Sequence, residues 1–222
     1  MKKIIAAALL LLFIGTGAFA MDWAVGGGVL FNMAWTNGLN EGTEYYWTGS
    51  SYVYDFDWKD DFTFSRYGFG GFAFLGLGRY FELNLGFLYK KVNKKTATWT
   101  ESYYGVDYYT EDYEIDADDL NIPVDVPLAL QAGVYFKYPF VVSDMLVVFP
   151  TAGVDFEYSF DDWWFSDLWF RGGVGLDFFF TERIFLRTHF IYGAAIPIGD
   201  ETWDNLSVTH GLLIKAGVGF MF

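Results

Sequence analysis

The sequence contains no cysteine. That excludes disulfides, lipidation of a processed N-terminal cysteine and cysteine-based zinc sites, and an exported chain of this kind needs no oxidising compartment to fold. Histidine occurs twice and proline five times. Cations are scarce: 14 Lys and Arg stand against 28 Asp and Glu, for a formal net charge of −14. Phosphate binding needs clustered Lys and Arg, so nucleic acid is excluded as a partner. After residue 20 no apolar run is long enough for a membrane-spanning helix. Two histidines without a clustered acid box leave no transition-metal site. Gly26-Gly27-Gly28 is followed by neither a helix nor Lys-Ser/Thr, so it is no phosphate loop. No cofactor is expected.

What is present is an unusual mixture: 23% aromatic residues, 25 glycines, strong acidity and a positive mean hydropathy of +0.21. Residues 1–20 read as a signal peptide. Met1-Lys2-Lys3 is a positive start, Ile4 to Ile14 is unbroken apolar sequence, and Ala18-Phe19-Ala20 is a small-x-small cleavage site. A retained anchor is the alternative, though the run is short for one. Removing Lys2 and Lys3 takes the formal charge from −14 to −16 for a mature chain of residues 21–222.

Alternation is the dominant pattern. In the stretch from Tyr80 to Lys90, Phe81, Leu83, Leu85, Phe87 and Tyr89 oppose Tyr80, Glu82, Asn84, Gly86 and Lys90. Similar runs begin at Trp23, Ser65, Asp119, Met145, Leu168, Ile184 and Leu206. Parity blurs at Phe72 and Phe74, where Gly70-Gly71 predicts a bulge. The fourth run carries Pro123 and Pro127, awkward in a central strand. Eight runs of about ten residues match tilted strands crossing a bilayer. Connections alternate: long ones over 37–64, 92–118, 159–167 and 197–205, short ones between. Bulky side chains fall on one face and glycine with charge on the other, the inverse of a soluble barrel. The expected fold is all-β, an eight-stranded antiparallel up-and-down transmembrane β-barrel over residues 21–222.

The last strand ends Gly217-Val218-Gly219-Phe220-Met221-Phe222. It resembles the terminal signature of outer-membrane barrels, and LNIPVDVPLAL, FRGGVGLDFFFTERIFLRTHFIYG and HGLLIKAGVGFMF resemble the small eight-stranded OmpX/OmpW/OmpA-like family. The resemblance implies the outer membrane of a two-membrane bacterium as location, outer-membrane lipid and the barrel assembly machinery as partners, and Phe220 and Phe222 as the assembly signal. Unlike full-length OmpA-type chains, this one is expected to stop at the barrel, without a periplasmic peptidoglycan-binding domain, and a monomer is expected.

The inward list is Arg66, Glu82, Asn84, Lys90, Asp125, Gln131, Asp155, Glu157, Arg171, Asp177, Arg187, His189 and Lys215. Buried charges must pair, and an eight-strand bore is just wide enough for side chains to fill it. A plug of salt bridges is the expectation. The alternative is a narrow channel for ions or small hydrophobic molecules, gated by Arg171, Arg187 or Lys215 exchanging carboxylates. No serine neighbours His189 or His210 on its own strand face, so no catalytic residues are assigned.

The connection after strand three places lysines first and carboxylates last. Strand parity predicts partners whose numbers sum to 209, pairing Lys90 with Asp119, Lys91 with Asp118 and Lys95 with Glu114 around a Tyr104-Gly105 turn. The predicted result is a hairpin raised above the membrane. Tyr45, Tyr46, Trp47, Tyr103, Tyr104, Tyr108, Tyr109, Trp163 and Trp164 then form aromatic loop surfaces suited to contact an extracellular ligand. Trp23, Trp35, Tyr67, Tyr89, Tyr158 and Tyr192 fit interfacial belts. The functional expectation is a structural membrane component or a surface-loop, adhesion-type interaction protein.

Overall fold

The computed structural model describes residues 23–116, 128–160, 166–198 and 206–222. The signal-peptide reading, Asp118, Asp119, Asp125, Trp163 and Trp164 lie outside these residues. The strands are β1 (Trp23–Trp47), β2 (Tyr52–Leu77), β3 (Phe81–Tyr103), β4 (Val106–Asp116), β5 (Ala129–Lys137), β6 (Phe140–Ser143), β7 (Leu146–Ser159), β8 (Asp167–Phe179), β9 (Ile184–Pro197) and β10 (Leu206–Met221). All pairings are antiparallel, and they lead round a ring: β1–β2, β2–β3, β3–β5, β5–β7, β7–β8, β8–β9, β9–β10 and β10–β1. Among the described residues, β4 adds only to the upper part of β3 and β6 only to the start of β7. The seam runs from Ala24↔Met221 to Leu39↔Leu206, and the Phe222 N–H donates to the Trp23 carbonyl at 2.8 Å. Ring closure leaves the wall no edge, so its backbone groups are satisfied within the sheet.

Alternation sorts the side chains. Along β5 burial switches strictly from Ala129 to Lys137. On β3, Leu83, Leu85, Phe87 and Tyr89 are exposed, while Glu82, Asn84, Leu88 and Lys90 are buried. The outward surface is aliphatic at Val29, Leu85, Val134, Val174 and Val218. Rings gather at its two ends. At the end with the short turns, Tyr80 contacts Phe136 and Tyr138, Tyr138 contacts Phe140, and Phe220 contacts Phe222. At the other end Trp35 stacks on His210 with centroids 5.7 Å apart, and Tyr192 hydrogen-bonds His210 Nδ1 at 2.9 Å.

The bore holds more than glycine and ions. Phe72 and Phe74 point inward, and the pairings with β1 and β3 run unbroken past Gly70-Gly71, so the expected bulge is absent. Their alternation is regular; an apolar residue simply occupies the inner face. With Leu30, Leu88, Tyr135, Phe185, Ile191 and Leu213 they form an internal apolar core. Inward glycines make room for it. A Cβ on Gly175 would sit 2.2 Å from the Phe149 ring, and one on Gly133 would sit 1.8 Å from Asp155 Oδ1. The space beside these glycines belongs to the larger side chain facing them.

The expected connection over 37–64 is instead strand. β1 and β2 stay paired up to Trp47↔Tyr52, with 25 and 26 residues, and only Thr48 to Ser51 turns the chain. β3, 23 residues long, remains paired with β2 up to Asp57↔Ser102 and turns into β4 through Tyr104 (φ 49°) and Gly105 (φ 78°). Two successive positive φ values make the tight turn that glycine tolerates and that matches strand twist. A four-stranded sheet, β1-β2-β3-β4, thus rises from one side of the barrel.

The register of its last pair differs from the parity prediction. Lys95 faces Ile115 and Thr96 faces Glu114, and only the tip pairs Ser102↔Asp107 and Tyr103↔Val106 sum to 209. Two extra residues account for this. Ser65 pairs with Lys94 but Arg66 with Val92, so Asn93 bulges from β3; Glu101 pairs with Tyr109 but Ser102 with Asp107, so Tyr108 bulges from β4. A one-residue insertion exchanges the faces of everything beyond it, and above Asn93 the odd residue Ala97 is the buried one. A Thr96→Cys, Glu114→Cys variant is expected to form an intramolecular disulfide, and Lys95→Cys, Glu114→Cys not, as read by gel shift under mild oxidation; cross-linking of the second pair alone would reject this register.

Candidate functional site: the bore and the raised sheet

Every predicted inward residue within the described stretches is buried: Arg66, Glu82, Asn84, Lys90, Gln131, Asp155, Glu157, Arg171, Asp177, Arg187, His189 and Lys215. Three ionic groups form, and their order follows the strands. Nearest the short turns, Arg187 holds Asp177 through two parallel bonds, Nε–Oδ1 at 2.6 Å and Nη2–Oδ2 at 2.5 Å, while its Nη1 donates to Glu82 Oε2 at 2.5 Å. The planar guanidinium suits such two-point contact. Its carbon also lies 4.6 Å from the Phe74 ring centroid and 4.8 Å from that of Phe185, so two neighbouring rings line one side of the cation. Lys137 completes the group, 3.3 Å from Glu82.

Farther along, Asp155 takes Arg171 Nε at 2.8 Å, the Tyr135 hydroxyl, and Gln131 Nε2 at 3.4 Å. The Arg171 guanidinium lies 4.1 Å over the Trp169 ring. Lys215 makes no ion pair among the described residues; its ammonium stands 4.7 Å from the Tyr135 centroid and 5.6 Å from that of Phe72. Toward the raised sheet, Lys90 pairs with Glu157, and Arg66 with Asp167 at 2.5 Å. The Thr36 and Thr209 hydroxyls meet at 2.8 Å beside them. His189 packs edge-on to Phe149 with centroids 5.3 Å apart, 4.0 Å from Glu82, and neither ring nitrogen forms a hydrogen bond among the described residues.

Two ionic partners escaped the sequence reading. Asp167, placed in a connection, is the first residue of β8 and faces inward; Lys137, placed before a turn, is the last residue of β5. Both continue the odd parity of their strands, Arg171 back to Asp167 and Gln131 on to Lys137. Extending each run until its parity failed finds both.

In the raised sheet, partners in register share a face. Gly38, Phe62 and Ala97 form one row, and Gly42, Trp58, Glu101 and Tyr109 form another. This inner face continues the bore, since it follows Ala34 and Thr36 along β1. Trp58 and Trp99 stack there, centroids 5.1 Å apart and planes 9° apart. The opposite, outer face carries Thr43, Asp57, Lys59, Asp61, Thr98 and Asp112, joined by Thr43–Asp57 and Thr98–Asp112 bonds of 2.7 Å and a Lys59–Asp61 pair at 2.6 Å. The hydrogen bond from Lys59 to Asp61 also raises the lysine's pKa. At the tips Tyr45, Tyr46, Trp47, Tyr103, Tyr104, Tyr108 and Tyr109 are exposed. Tyr109 donates to Glu111 at 2.5 Å and Tyr108 to Glu101 at 2.9 Å. The Tyr109 pKa is raised first by its hydrogen bond to Glu111, and the Tyr108 pKa by lost hydration and then by Glu101, which keeps both phenols protonated.

No protein-family profile matches the sequence, and no curated protein matches it. Among solved structures, several outer-membrane proteins are similar to the chain at low identity. The outer membrane protein OprG from Pseudomonas aeruginosa is similar over 91% of this chain and 96% of its own, at 13% identity and a TM-score of 0.40. The solution structure of Escherichia coli outer membrane protein W covers 92% of this chain and 100% of its own, at 11% identity and a TM-score of 0.36. The E. coli outer membrane protease OmpT covers 93% and 100%, at 7% identity and a TM-score of 0.34. These are likenesses of architecture, and nothing about ligand or activity passes from them to this chain. The chain is an all-β, antiparallel, up-and-down barrel similar in build to small outer-membrane barrels.

Proposed function

We propose that this protein is an outer-membrane β-barrel whose bore is closed by its own side chains, a structural component that meets extracellular partners through the raised sheet. One observation carries the reading. On β1 to β3 the outward side chains change from aliphatic and aromatic to threonine, aspartate and lysine at the level of the Asn93 bulge. That is the level at which lipid gives way to water. Below it, an apolar band between two aromatic girdles fits one bilayer. The short turns then lie on the inner side and the sheet on the outer. One copy closes the ring, which favours a monomer. Phe220 and Phe222, paired on the lower rim, are the residues we assign to recognition by the assembly machinery. No catalytic role is assigned.

Three experiments test this. Leu85→Arg, on the outward face, is expected to lower folding stability in vesicles by about 2–4 kcal/mol, read by denaturant refolding; an unchanged midpoint would remove the lipid contact. In planar bilayers the parent protein is expected to pass no resolvable current, because Arg187, Lys137, Glu82 and Asp177 are joined across the bore. Arg187→Leu strands Asp177 and leaves Glu82 to Lys137 alone, and should cost about 3–5 kcal/mol of stability; steady conductance from the parent would instead support the channel alternative. Deleting residues 96–113 should leave a heat-modifiable barrel and abolish attachment of intact cells to any surface the parent binds; undiminished attachment would end the surface role.

A further inference from the structure

The inner face of the raised sheet is built from rings and carboxylates. Trp58 shares its row with Gly42, Glu101 and Tyr109, and Trp99 shares the next with Asp60 and Glu111. The Trp58 ring lies against β1, where a Cβ on Gly42 would approach it to 2.7 Å. Glycine there lets the indole lie flat, with Trp99 stacked on it. Three polar donors of this surface are already engaged. Trp99 Nε1 donates to Glu101 Oε1 at 3.0 Å, Tyr108 to Glu101 Oε2 at 2.9 Å, and Tyr109 to Glu111 Oε2 at 2.5 Å. Each carboxylate has lone pairs left over.

Charge points the same way. Residues 40–64 and 91–116 hold twelve carboxylates and four lysines. Of the lysines, Lys59 lies on the outer face paired with Asp61, Lys91 is in register with Tyr67 and Lys94 with Ser65, both outer-face positions, and Lys95 is in register with Phe64, below Trp99. The surface near the indoles therefore offers π faces and anionic acceptors. An anion finds no counter-charge here. A sugar finds few donors to answer its hydroxyl oxygens, because the threonines stand on the other face. A cation with an apolar body finds both halves of its complement, a ring quadrupole and a carboxylate.

We propose that the inner face of the raised sheet, at Trp58, Trp99, Glu101 and Glu111, binds small organic cations of the alkylammonium class. The inference rests on the surface-interaction reading and names the chemistry of its ligand. The cation sits over the indole pair with its charge between Glu101 and Glu111, and the apolar groups around the nitrogen cover the rings.

Choline and its uncharged carbon isostere 3,3-dimethylbutan-1-ol separate this from plain hydrophobic contact. Titrated into the full-length barrel in nanodiscs and followed by tryptophan fluorescence, choline is expected to bind saturably, and the isostere about tenfold more weakly or not at all. Glu101→Gln, which keeps the shape, and Trp99→Leu should each weaken choline binding by about fivefold or more, while Thr100→Val on the outer face leaves it unchanged. Heat modifiability and strand circular dichroism verify that each variant is folded. Equal binding of the isostere, no saturable choline signal, or binding that survives Glu101→Gln and Trp99→Leu together would each overturn the proposal. If cell attachment is lost on deleting residues 96–113 while choline does not bind, this inference falls and the surface role stands.

Discussion

A sheet closed on itself with hydrocarbon outside must hide its ions inside, in a bore too narrow to hydrate them singly. Much of the structure answers that constraint. Arg187 reaches two carboxylates at once, Arg66 and Lys90 take one each, and Asp155 collects a guanidinium, a phenol and an amide. The ring centroids of Phe74, Phe185 and Trp169 lie 4.6, 4.8 and 4.1 Å from guanidinium carbons. Glycine completes the scheme, because the bore leaves space for Phe149, Phe185 or Arg171 where the paired position on the neighbouring strand is Gly175, Gly219 or Gly193.

Pairing of this kind defines shape more than it adds stability. Two buried ions recover little beyond their own desolvation, yet removing one strands the other. The bore network therefore resists piecemeal change and holds each strand in register with its neighbours. Lys215 departs from the pattern: its ammonium rests against the Tyr135 and Phe72 rings, with no carboxylate on it among the described residues.

Much of this was legible from alternation alone. Period two on β3, β8 and β9 sorts Glu82, Arg171 and Arg187 inward and Leu85, Val174 and Phe190 outward, because the outward environment rewards one class of side chain so strongly. What alternation could not show was of two kinds. Phe72 and Phe74 are apolar and inward, and composition at those positions says nothing of face. The single-residue bulges at Asn93 and Tyr108 carry no mark of their own, yet each exchanges the faces of all that follows, so a parity argument carried across them slips by one. Segments 37–64 and 92–118 read as connections because the outer face of a strand in water, threonine and aspartate, has the composition of a loop. The partners of the charges at Asp167 and Lys137 were missed for a related reason: strand ends are where composition stops discriminating.

The 25-residue β1 runs without interruption from the lower rim to the turn at Thr48. At about 3.4 Å per residue, the stretch from Trp35 to Trp47 gives the protein a stature of up to about 40 Å above its upper girdle. In the orientation proposed above, a tip at that height stands clear of the headgroup layer, so its tyrosines would be the first groups an approaching surface meets. Because strand pairing runs from root to tip, interrupted only by single-residue bulges at Asp55, Asn93 and Tyr108, such an outpost behaves as a stiff mast rather than a tether, and a load at its crown would bear directly on the barrel wall.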